Sequence, residues 1–291
     1  MIRNYSPLRY PGGKNKLTPF IRLIIQNLQI TNGTYIEPFA GGAGVALSLL
    51  LDGTVSNIVI NDYDKAIYSI WRAIKEEPLT LIQMIKNTPI TTEEWQLQKQ
   101  IYLNEKKYSI ELAFAALFLN RTNHSGILDA GPIGGYAQNS KWQLDARFNK
   151  VALISRIEEI VKHKSRILVY NKDILSLLQN YIPQFDGNVF IYFDPPYYNN
   201  GRRLYKNSLL PSDHRRIRDA IVGTIFPWIV TYDDVDTIRE IYSNCEIKKF
   251  DLTYSAANKG LASELMVFSD ESICPTASQM KECGININLR A

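Results

Sequence analysis

The feature that most constrains the fold is a short apolar run that ends in a glycine-rich turn. Thr34-Tyr35-Ile36 has the composition of a β-strand and leads into Glu37-Pro38-Phe39-Ala40-Gly41-Gly42-Ala43-Gly44. The apolar residues 45–51 that follow favour a helix. Small residues between a strand end and a helix N-terminus let a ligand approach the backbone closely. The pattern therefore predicts a nucleotide-binding type of α/β unit.

Other apolar runs repeat this strand-like composition along the chain. They are short, rich in β-branched and aromatic residues, and separated by helix-like stretches, which predicts an α/β fold with a mostly parallel, doubly wound sheet. Asp62 ends the first of them, about 20 residues beyond the glycine turn, where ribose-binding acids occur in such folds. The runs are 57–62, 166–170, 189–193, 228–232 and 265–268.

A long stretch in the first half of the chain interrupts the alternation of strands and helices. Residues 65–164 look helical and poor in strands, so we interpret them as a subdomain inserted into a domain formed by 1–64 and 165–291. Within it, 123–148 is rich in Gly, Asn and Ser and predicts a loop or hairpin. Long structured loops of this kind often bind a partner.

Composition narrows the functional classes only slightly. The chain has 33 basic and 29 acidic residues, a net charge of +4 that is compatible with a polyanionic partner. Its three cysteines show no C-x-x-C spacing and no secretory leader precedes them, which indicates a reduced, cytoplasmic protein. No apolar run is long enough to span a bilayer, and the scattered histidines predict no metal site.

The glycine turn is ambiguous when it is taken alone. It could simply make a tight connection between a strand and a helix. It could also bind a dinucleotide, but Leu47 stands where the G-x-G-x-x-G/A fingerprint requires a small residue, which disfavours NAD.

A second signal closes the apolar run 189–193. Asp194-Pro195-Pro196-Tyr197 places a carboxylate, a stiff backbone and an aromatic ring at the carboxyl end of a strand, where open α/β sheets bind ligands. A flipped adenine needs a stacking face and hydrogen-bond acceptors for its amine, which Tyr197, Asp194 and the Pro195 carbonyl could supply. The alternative is a stiff strand exit in which Asp194 caps a turn.

Three motifs together resemble the Dam-like DNA adenine-N6 methyltransferases over most of the chain. Pro7-Leu8-Arg9-Tyr10-Pro11-Gly12-Gly13-Lys14 is similar to the N-terminal motif of that family, Glu37 to Gly44 to its cofactor loop, and Asp194 to Tyr197 to its catalytic motif. The resemblance implies a Rossmann-like methyltransferase fold with an inserted helical DNA-recognition subdomain. It also implies methyl transfer from S-adenosylmethionine to the N6 amine of a flipped adenine in double-stranded DNA.

The resemblance also assigns roles by position. Asp194, Pro195 and Tyr197 would be catalytic, without a metal. The residues expected to bind the cofactor are Tyr10, Lys14, Phe39, Gly41, Asp62, Asp173 and Asp194.

The segment 120–126 is similar to the part of the family that leads into a DNA-recognition hairpin. Residues 127–147 depart from Dam-type members because they carry Asp129 and Asp145 and lack an arginine-rich character, so a GATC target is not implied. Arg202, Arg203 and Lys206 could form a lid on phosphate or a solvated loop. The residues expected to contact DNA are Arg9, Asn120, Arg121, Asn123 and His124.

Several alternatives remain open at this point. The same chemistry could act on another amine, in RNA adenine, DNA cytosine or protein glutamine. The chain could be a non-catalytic DNA-binding relative, or a nucleotide-dependent oxidoreductase, which Leu47 weakens. A methyltransferase of this kind would work at the nucleoid, with a cognate restriction endonuclease as a further partner. Restriction protection, repair marking and phage self-modification would all use the same site.

Overall fold

The computed structural model of the chain describes residues 5–10, 12–198, 210–253 and 261–290. Within these residues seven strands form one sheet in the order β3-β2-β1-β4-β5-β7-β6. The first five strands are mutually parallel, and β7 runs antiparallel to both β5 and β6. The predicted α/β fold with a mostly parallel sheet is thus confirmed. The strands are β1 (Thr34–Glu37), β2 (Asn57–Asn61), β3 (Ile167–Tyr170), β4 (Val189–Phe193), β5 (Trp228–Asp233), β6 (Glu246–Thr253) and β7 (Leu261–Phe268).

Helices cover both faces of the sheet. The helix predicted after the glycine turn begins directly at Gly44, and a short turn of 3-10 helix, Asn15–Leu17, precedes the first helix. The helices are α1 (Thr18–Asn27), α2 (Gly44–Leu51), α3 (Lys65–Glu76), α4 (Pro78–Asn87), α5 (Thr92–Asn104), α6 (Ile110–Thr122), α7 (Lys150–Val161), α8 (Ile174–Ser176), α9 (Pro211–Val222), α10 (Asp236–Ile241) and α11 (Ala277–Glu282).

Two apolar cores lie on opposite faces of the sheet, because successive side chains of a strand point to opposite sides. In β1, Tyr35 belongs to the core under α1, α2 and α3, whereas Ile36 belongs to the core under α8, α9 and α10. Phe190 and Ile191 of β4 divide in the same way. Strands β1 and β4 are therefore buried on both faces, which is why they appear in the sequence as continuous apolar runs.

The segment between β2 and β3 is helical, with α3 to α7. Side-chain caps begin four of these helices: Asp64, Thr91, Ser109 and Asn149 each accept a hydrogen bond from an N–H of the first turn. The middle of α6 is buried, and its apolar residues join the same core as one sheet face. The division into a catalytic domain and a recognition subdomain stays a prediction.

The structure adds features to the loops and to the C-terminal part. Residues 123–148 contain 3-10 turns at His124–Gly126 and Leu144–Arg147 and one antiparallel bridge between Asn123 and Pro132. Strand β6, which the sequence patterns did not reveal, pairs along its length with β7. Helix α11 follows a capping box formed by Thr276 and Gln279. Pro11, Arg202, Arg203 and Lys206 lie outside the described residues.

In the part of the chain that the structure describes, none of the helices is long and apolar enough to cross a membrane.

Candidate active site

A cavity of about 560 Å³ opens at the carboxyl ends of the parallel strands. Parallel strands end at the same edge of a sheet, so the loops that follow β1, β2, β3 and β4 meet there. The N-terminal motif also reaches this edge. Six of the residues predicted to bind a cofactor line the cavity: Tyr10, Lys14, Phe39, Asp62, Asp173 and Asp194.

The glycine turn owes its shape to residues with left-handed backbone conformations. Gly41 has a φ of 47° and Ala43 a φ of 46°, a region that favours glycine. A Cβ atom on Gly41 would lie 2.5 Å from Cε1 of Tyr10. Gly41 itself does not line the cavity; its lack of a side chain lets the Tyr10 ring pack against the turn.

Asp62 is fixed in place by two backbone groups. Its Oδ2 accepts from the N–H of Gly41 at 2.9 Å, and its Oδ1 accepts from the N–H of Asp64 at 2.9 Å. Burial raises the pKa of Asp62 to about 7, and the negative charge of Asp64 adds to that rise. An oriented carboxylate of this kind can accept hydrogen bonds from two vicinal hydroxyls.

A buried amide joins the strand ends beside Asp62. Nδ2 of Asn61 donates to the carbonyl of Pro38 at 2.9 Å and to that of Lys172 at 3.2 Å, and its Oδ1 accepts from the N–H of Lys172 at 2.9 Å. Asp173 follows directly and uses Oδ1 to cap α8, at 3.0 Å from the N–H of Leu175. Asp173 is exposed at the cavity wall. The loops that line the cavity are therefore held in fixed positions relative to one another.

Asp194 follows the last residue of β4 and contacts the neighbouring strand. Its Oδ1 accepts from the hydroxyl of Thr231 at 2.8 Å, and Thr231 is also 2.9 Å from the hydroxyl of Tyr192. The backbone after the tetrapeptide is fixed as well, since the N–H of Tyr198 donates to Oδ1 of Asp233 at 2.8 Å. Both ends of the tetrapeptide are therefore held by β5.

Lys14 brings the N-terminal motif to the tetrapeptide. Its buried ammonium lies 3.7 Å from Oδ1 of Asp194 and 3.2 Å from Oε1 of Glu264. It also donates a hydrogen bond to the hydroxyl of Tyr197 and sits 4.7 Å from the centre of that ring. Pro196 lines the cavity, whereas Pro195 is buried and Tyr197 is turned toward Lys14. The structure thus brings two of the predicted catalytic residues, Asp194 and Tyr197, together with Lys14.

Burial controls the charge of the two carboxyls nearest the tetrapeptide and the turn. It raises the pKa of Asp194 to about 6, although the Lys14 ammonium and the Thr231 hydrogen bond lower it and Glu264 raises it. Burial also raises the pKa of Glu37 to about 8. Two hydrogen bonds to Oε1 of Glu37, from the Tyr35 hydroxyl and the Ala46 N–H at 3.0 Å each, lower the pKa but do not offset the burial. At neutral pH Asp194 is therefore mostly ionised and Glu37 mostly neutral.

Two of the residues expected to contact DNA serve the interior of the protein instead. Asn120 is buried; its Nδ2 donates to the carbonyls of Arg9 and Gly126, and its Oδ1 accepts from the N–H of Arg9. Asn123 is also buried, donates to two carbonyls of the following loop and accepts from Trp95 at 2.6 Å. Neither side chain is available to DNA, because all the polar atoms of both are used within the fold.

The other three predicted DNA contacts reach the surface. His124 is exposed, while Arg9 and Arg121 are half-buried. Arg9 donates from Nη1 to the carbonyl of Asn123 at 3.2 Å, and Arg121 donates from Nε to the carbonyl of Arg147 at 2.7 Å. These side chains remain candidates for contact with a polyanion.

Sequence reasoning missed several residues of the site. Thr231 and Glu264 are buried polar residues in mainly apolar strands, and a polar residue within such a strand was the available signal. Tyr102 and Asp129 also line the cavity, and the Asp129 carboxylate is 3.6 Å from the ammonium of Lys99. The acidic Asp129, which departs from Dam-type members, is therefore part of the cavity wall.

No cluster of three or more His, Cys, Asp or Glu side chains suited to a metal ion occurs among the described residues.

The chain matches known methyltransferases. A family model described as the D12 class N6 adenine-specific DNA methyltransferase matches residues 10–256. The Type II methyltransferase M1.LlaDCHI of Lactococcus lactis subsp. cremoris is 24% identical over 207 residues, which cover 65% of this chain and 64% of the relative. The Type II methyltransferase M.MjaIII of Methanocaldococcus jannaschii is 24% identical over 208 residues, or 65% of this chain and 68% of the relative. The chain thus spans about two thirds of these relatives.

Solved structures give weaker likenesses. The rRNA methyltransferase aviRa from Streptomyces viridochromogenes aligns with a TM-score of 0.33 and 11% identity, over 91% of this chain and 87% of that one. Protein LPL1258 from Legionella pneumophila aligns with a TM-score of 0.33 and 14% identity, over 95% and 91% of the two chains.

Proposed function

Since this chain belongs to the D12 class N6 adenine-specific DNA methyltransferase family, we propose that it methylates the N6 amine of a flipped adenine in double-stranded DNA, with S-adenosylmethionine as the methyl donor. One observation carries the proposal: the Asp194 carboxylate lines the same cavity as Asp62 and the glycine turn. A group that can hold an amine and groups that can hold a nucleoside are thus next to each other.

The cavity suits a nucleoside-based methyl donor. Its volume of about 560 Å³ lies within the range of small-molecule sites, roughly 300–1,000 Å³. Asp62 would accept from the ribose hydroxyls, Asp173 from the adenine amine, and Tyr10 and Phe39 would offer apolar surface. Gly41 fits this arrangement because it has no Cβ, and the Tyr10 ring packs into the space that a Cβ would occupy. S-adenosylmethionine supplies an electrophilic methyl group when it is bound.

Asp194 and Pro195 would orient the target amine. At neutral pH the Asp194 carboxylate is mostly ionised and accepts hydrogen bonds, and the carbonyl of Pro195 is the next acceptor along the chain. Two acceptors on the amine hydrogens direct its lone pair toward the methyl group, so positioning supplies most of the catalysis. The ionised carboxylate can also take the proton that the amine loses on methylation.

Tyr197 would stack on the flipped base. Lys14 now lies 4.7 Å from the centre of its ring, so a base on that face must displace the ammonium. Lys14 retains Asp194 and Glu264 as alternative partners at 3.7 and 3.2 Å. Base entry would thus exchange one contact of Lys14 while keeping its charge neutralised.

The test is methyl incorporation from labelled S-adenosylmethionine by the intact protein, Asp194→Ala and the control Asp186→Ala. Asp186 is exposed in the turn before β4, so its removal leaves the cavity intact. We expect incorporation into unmethylated DNA by the intact protein and the control and a loss of about 100-fold or more with Asp194→Ala. Preferred incorporation into RNA or protein in competition would contradict the proposed substrate. Cofactor and DNA binding without any incorporation would support a non-catalytic relative.

The relatives are named as Type II methyltransferases, which supports a role in restriction-modification at the nucleoid. The partner would then be a restriction endonuclease that cuts the same unmodified sequence. DNA from cells that express the protein should resist that endonuclease, and DNA from cells that express Asp194→Ala should not.

A further inference from the structure

Four arginine side chains converge where the N-terminal segment crosses the helical segment. Arg9 comes from the N-terminal motif, Arg121 from the end of α6, Arg147 from the last turn before α7, and Arg156 from α7. Arg147 and Arg156 belong to none of the motifs in the sequence. All four side chains are at least partly exposed to solvent.

Backbone carbonyls hold this arginine cluster together. Arg121 donates from Nε to the carbonyl of Arg147 at 2.7 Å and from Nη1 to that of Pro7 at 3.5 Å. Arg156 donates from Nη1 to the carbonyl of Ser6 at 2.9 Å. Each guanidinium has five N–H donors, so these contacts leave most of them available for a ligand.

The charges of the cluster repel one another. Burial and, to a smaller extent, the positive charges of Arg9, Arg156 and Arg147 together lower the pKa of Arg121 to about 10. Burial, and to a smaller extent the positive charge of Arg147, also lowers the pKa of Arg9. Across the described ranges, none of the four arginines forms an ion pair with a carboxylate. The fold thus holds several like charges together, an arrangement that a bound polyanion would stabilise.

An exposed aromatic side chain extends the cluster. Trp142 is 61% exposed, with Cζ of Arg147 at 5.9 Å and Nζ of Lys141 at 5.7 Å from its ring. Basic groups interleaved with an accessible ring are typical of nucleic-acid surfaces. Arg9 lies at the end of the cluster that adjoins the cavity, because the next residue, Tyr10, lines the cavity.

We propose that Arg9, Arg121, Arg147 and Arg156 bind the backbone phosphates of duplex DNA beside the flipped base. This inference rests on the proposed function and names the part of the protein that holds its substrate. Guanidinium groups bind phosphate with paired N–H donors, and such contacts position the duplex without reading its sequence. The cluster would therefore set affinity and register, and base selection would lie elsewhere.

The test measures binding of a labelled DNA duplex at several salt concentrations with the full chain. The variants are Arg147→Gln, Arg156→Gln and the double variant, and Arg290→Gln is the matched control because Arg290 pairs with Asp251 at 2.6 Å. Each lost phosphate contact should reduce the slope of log affinity against log salt by about 0.9 and weaken binding roughly tenfold at low salt. The control should keep the slope of the unaltered protein.

Two further readings separate a DNA contact from a structural role and from failure of the proposed reaction. Thermal unfolding of the glutamine variants should occur at a temperature equal to or above that of the unaltered protein, since they remove mutual repulsion. An unchanged salt slope, or no duplex binding by the unaltered protein, would overturn the cluster's role, as would tighter binding of inorganic pyrophosphate or of RNA. Salt-dependent duplex binding that the variants weaken, without methyl incorporation, would leave the cluster standing and overturn the proposed reaction alone.

Discussion

The Lys14 ammonium lies 3.2 Å from the Glu264 carboxylate and so joins the N-terminal motif to the last strand of the sheet. Both side chains are buried, and Lys14 is also 3.7 Å from Asp194. The positive charge of Lys14 lowers the pKa of Asp194, and the negative charge of Glu264 raises it. Glu264 thus acts as a positioning residue that holds Lys14 beside the proposed acceptor of the amine.

The first prediction concerns the pH dependence of methyl transfer. Burial raises the pKa of Asp194 to about 6, so the carboxylate that accepts from the amine forms above that pH and is protonated below it. The turnover rate at saturating substrates should therefore fall as pH drops through about 6. A rate that stays constant down to about pH 5 would show that Asp194 is not the titrating acceptor.

The second prediction concerns Lys14 and the acid limb of the pH profile, which is the fall in rate as pH drops through about 6. Because Lys14 lowers the pKa of Asp194, Lys14→Met should move the limb to higher pH, in addition to any loss of rate. Lys281→Met, on α11, is the matched control and should leave the limb in place. Single-turnover rates of the two variants across pH provide the measurement. A limb at the same pH in both variants would contradict the role given to the Lys14 charge.

The third prediction concerns cofactor affinity. Asp62→Ala should weaken binding of S-adenosylmethionine by roughly 10- to 100-fold, about 1.4–2.7 kcal/mol, because it removes the proposed acceptor of the ribose hydroxyls. Titration calorimetry measures this affinity, and Asp186→Ala controls for the loss of an acid. Since burial raises the pKa of Asp62 to about 7, affinity should also decline as pH falls through that value. Unchanged affinity in Asp62→Ala would remove Asp62 from the cofactor site.

The fourth prediction concerns the packing of Tyr10 on the glycine turn. Gly41→Ala should lower the free energy of unfolding by about 1–3 kcal/mol, since alanine is strained at a φ of 47° and its Cβ would lie 2.5 Å from the Tyr10 ring. Combining it with Tyr10→Ala should cost less than the sum of the single changes, because the clash is then absent. Denaturant unfolding of the four proteins gives the coupling. Strict additivity would contradict this contact.

The fifth prediction concerns Glu37. Its pKa rises from 4.5 to about 8 on folding, so the folded protein binds this proton more tightly, and the free energy of unfolding falls as pH rises through that window. Glu37→Gln should remove this part of the pH dependence, leave the stability nearly unchanged below about pH 4.5, and stabilise the protein at pH 7, where the unaltered protein must take up a proton to fold. Glu37→Ala should cost about 2–4 kcal/mol through lost hydrogen bonds and a cavity. Equal pH dependence in the unaltered protein and Glu37→Gln would contradict a neutral Glu37.

Much of the fold was predictable because most strands of the sheet are buried on both faces. The continuous apolar runs of β1, β2, β4 and β5 carry that signal directly. Strand β6 was not found, since Lys248, Lys249 and Asp251 give its sequence a polar character that suits an edge strand. The tertiary pairing with β7 decides its structure.

The site was only partly predictable, because motifs identify residues that are close in sequence. Asp62 and Asp194 follow recognisable strands, whereas Glu264 reaches the site only through the antiparallel return of β7. Asn120 and Asn123 looked like donors for DNA because the sequence does not reveal that their amides are buried. Arg147 and Arg156 were missed for the opposite reason, since their proximity to Arg121 appears only in the fold.

The most direct measurement is mass spectrometry of nucleosides from the DNA of methylation-deficient cells that express the protein or Asp194→Ala. The proposed reaction predicts N6-methyldeoxyadenosine with the intact protein and none with the variant, provided that the two proteins accumulate to equal levels. N4-methylcytosine in its place, or no modified base in DNA from cells with folded, cofactor-binding protein, would contradict an adenine-N6 methyltransferase centred on Asp194.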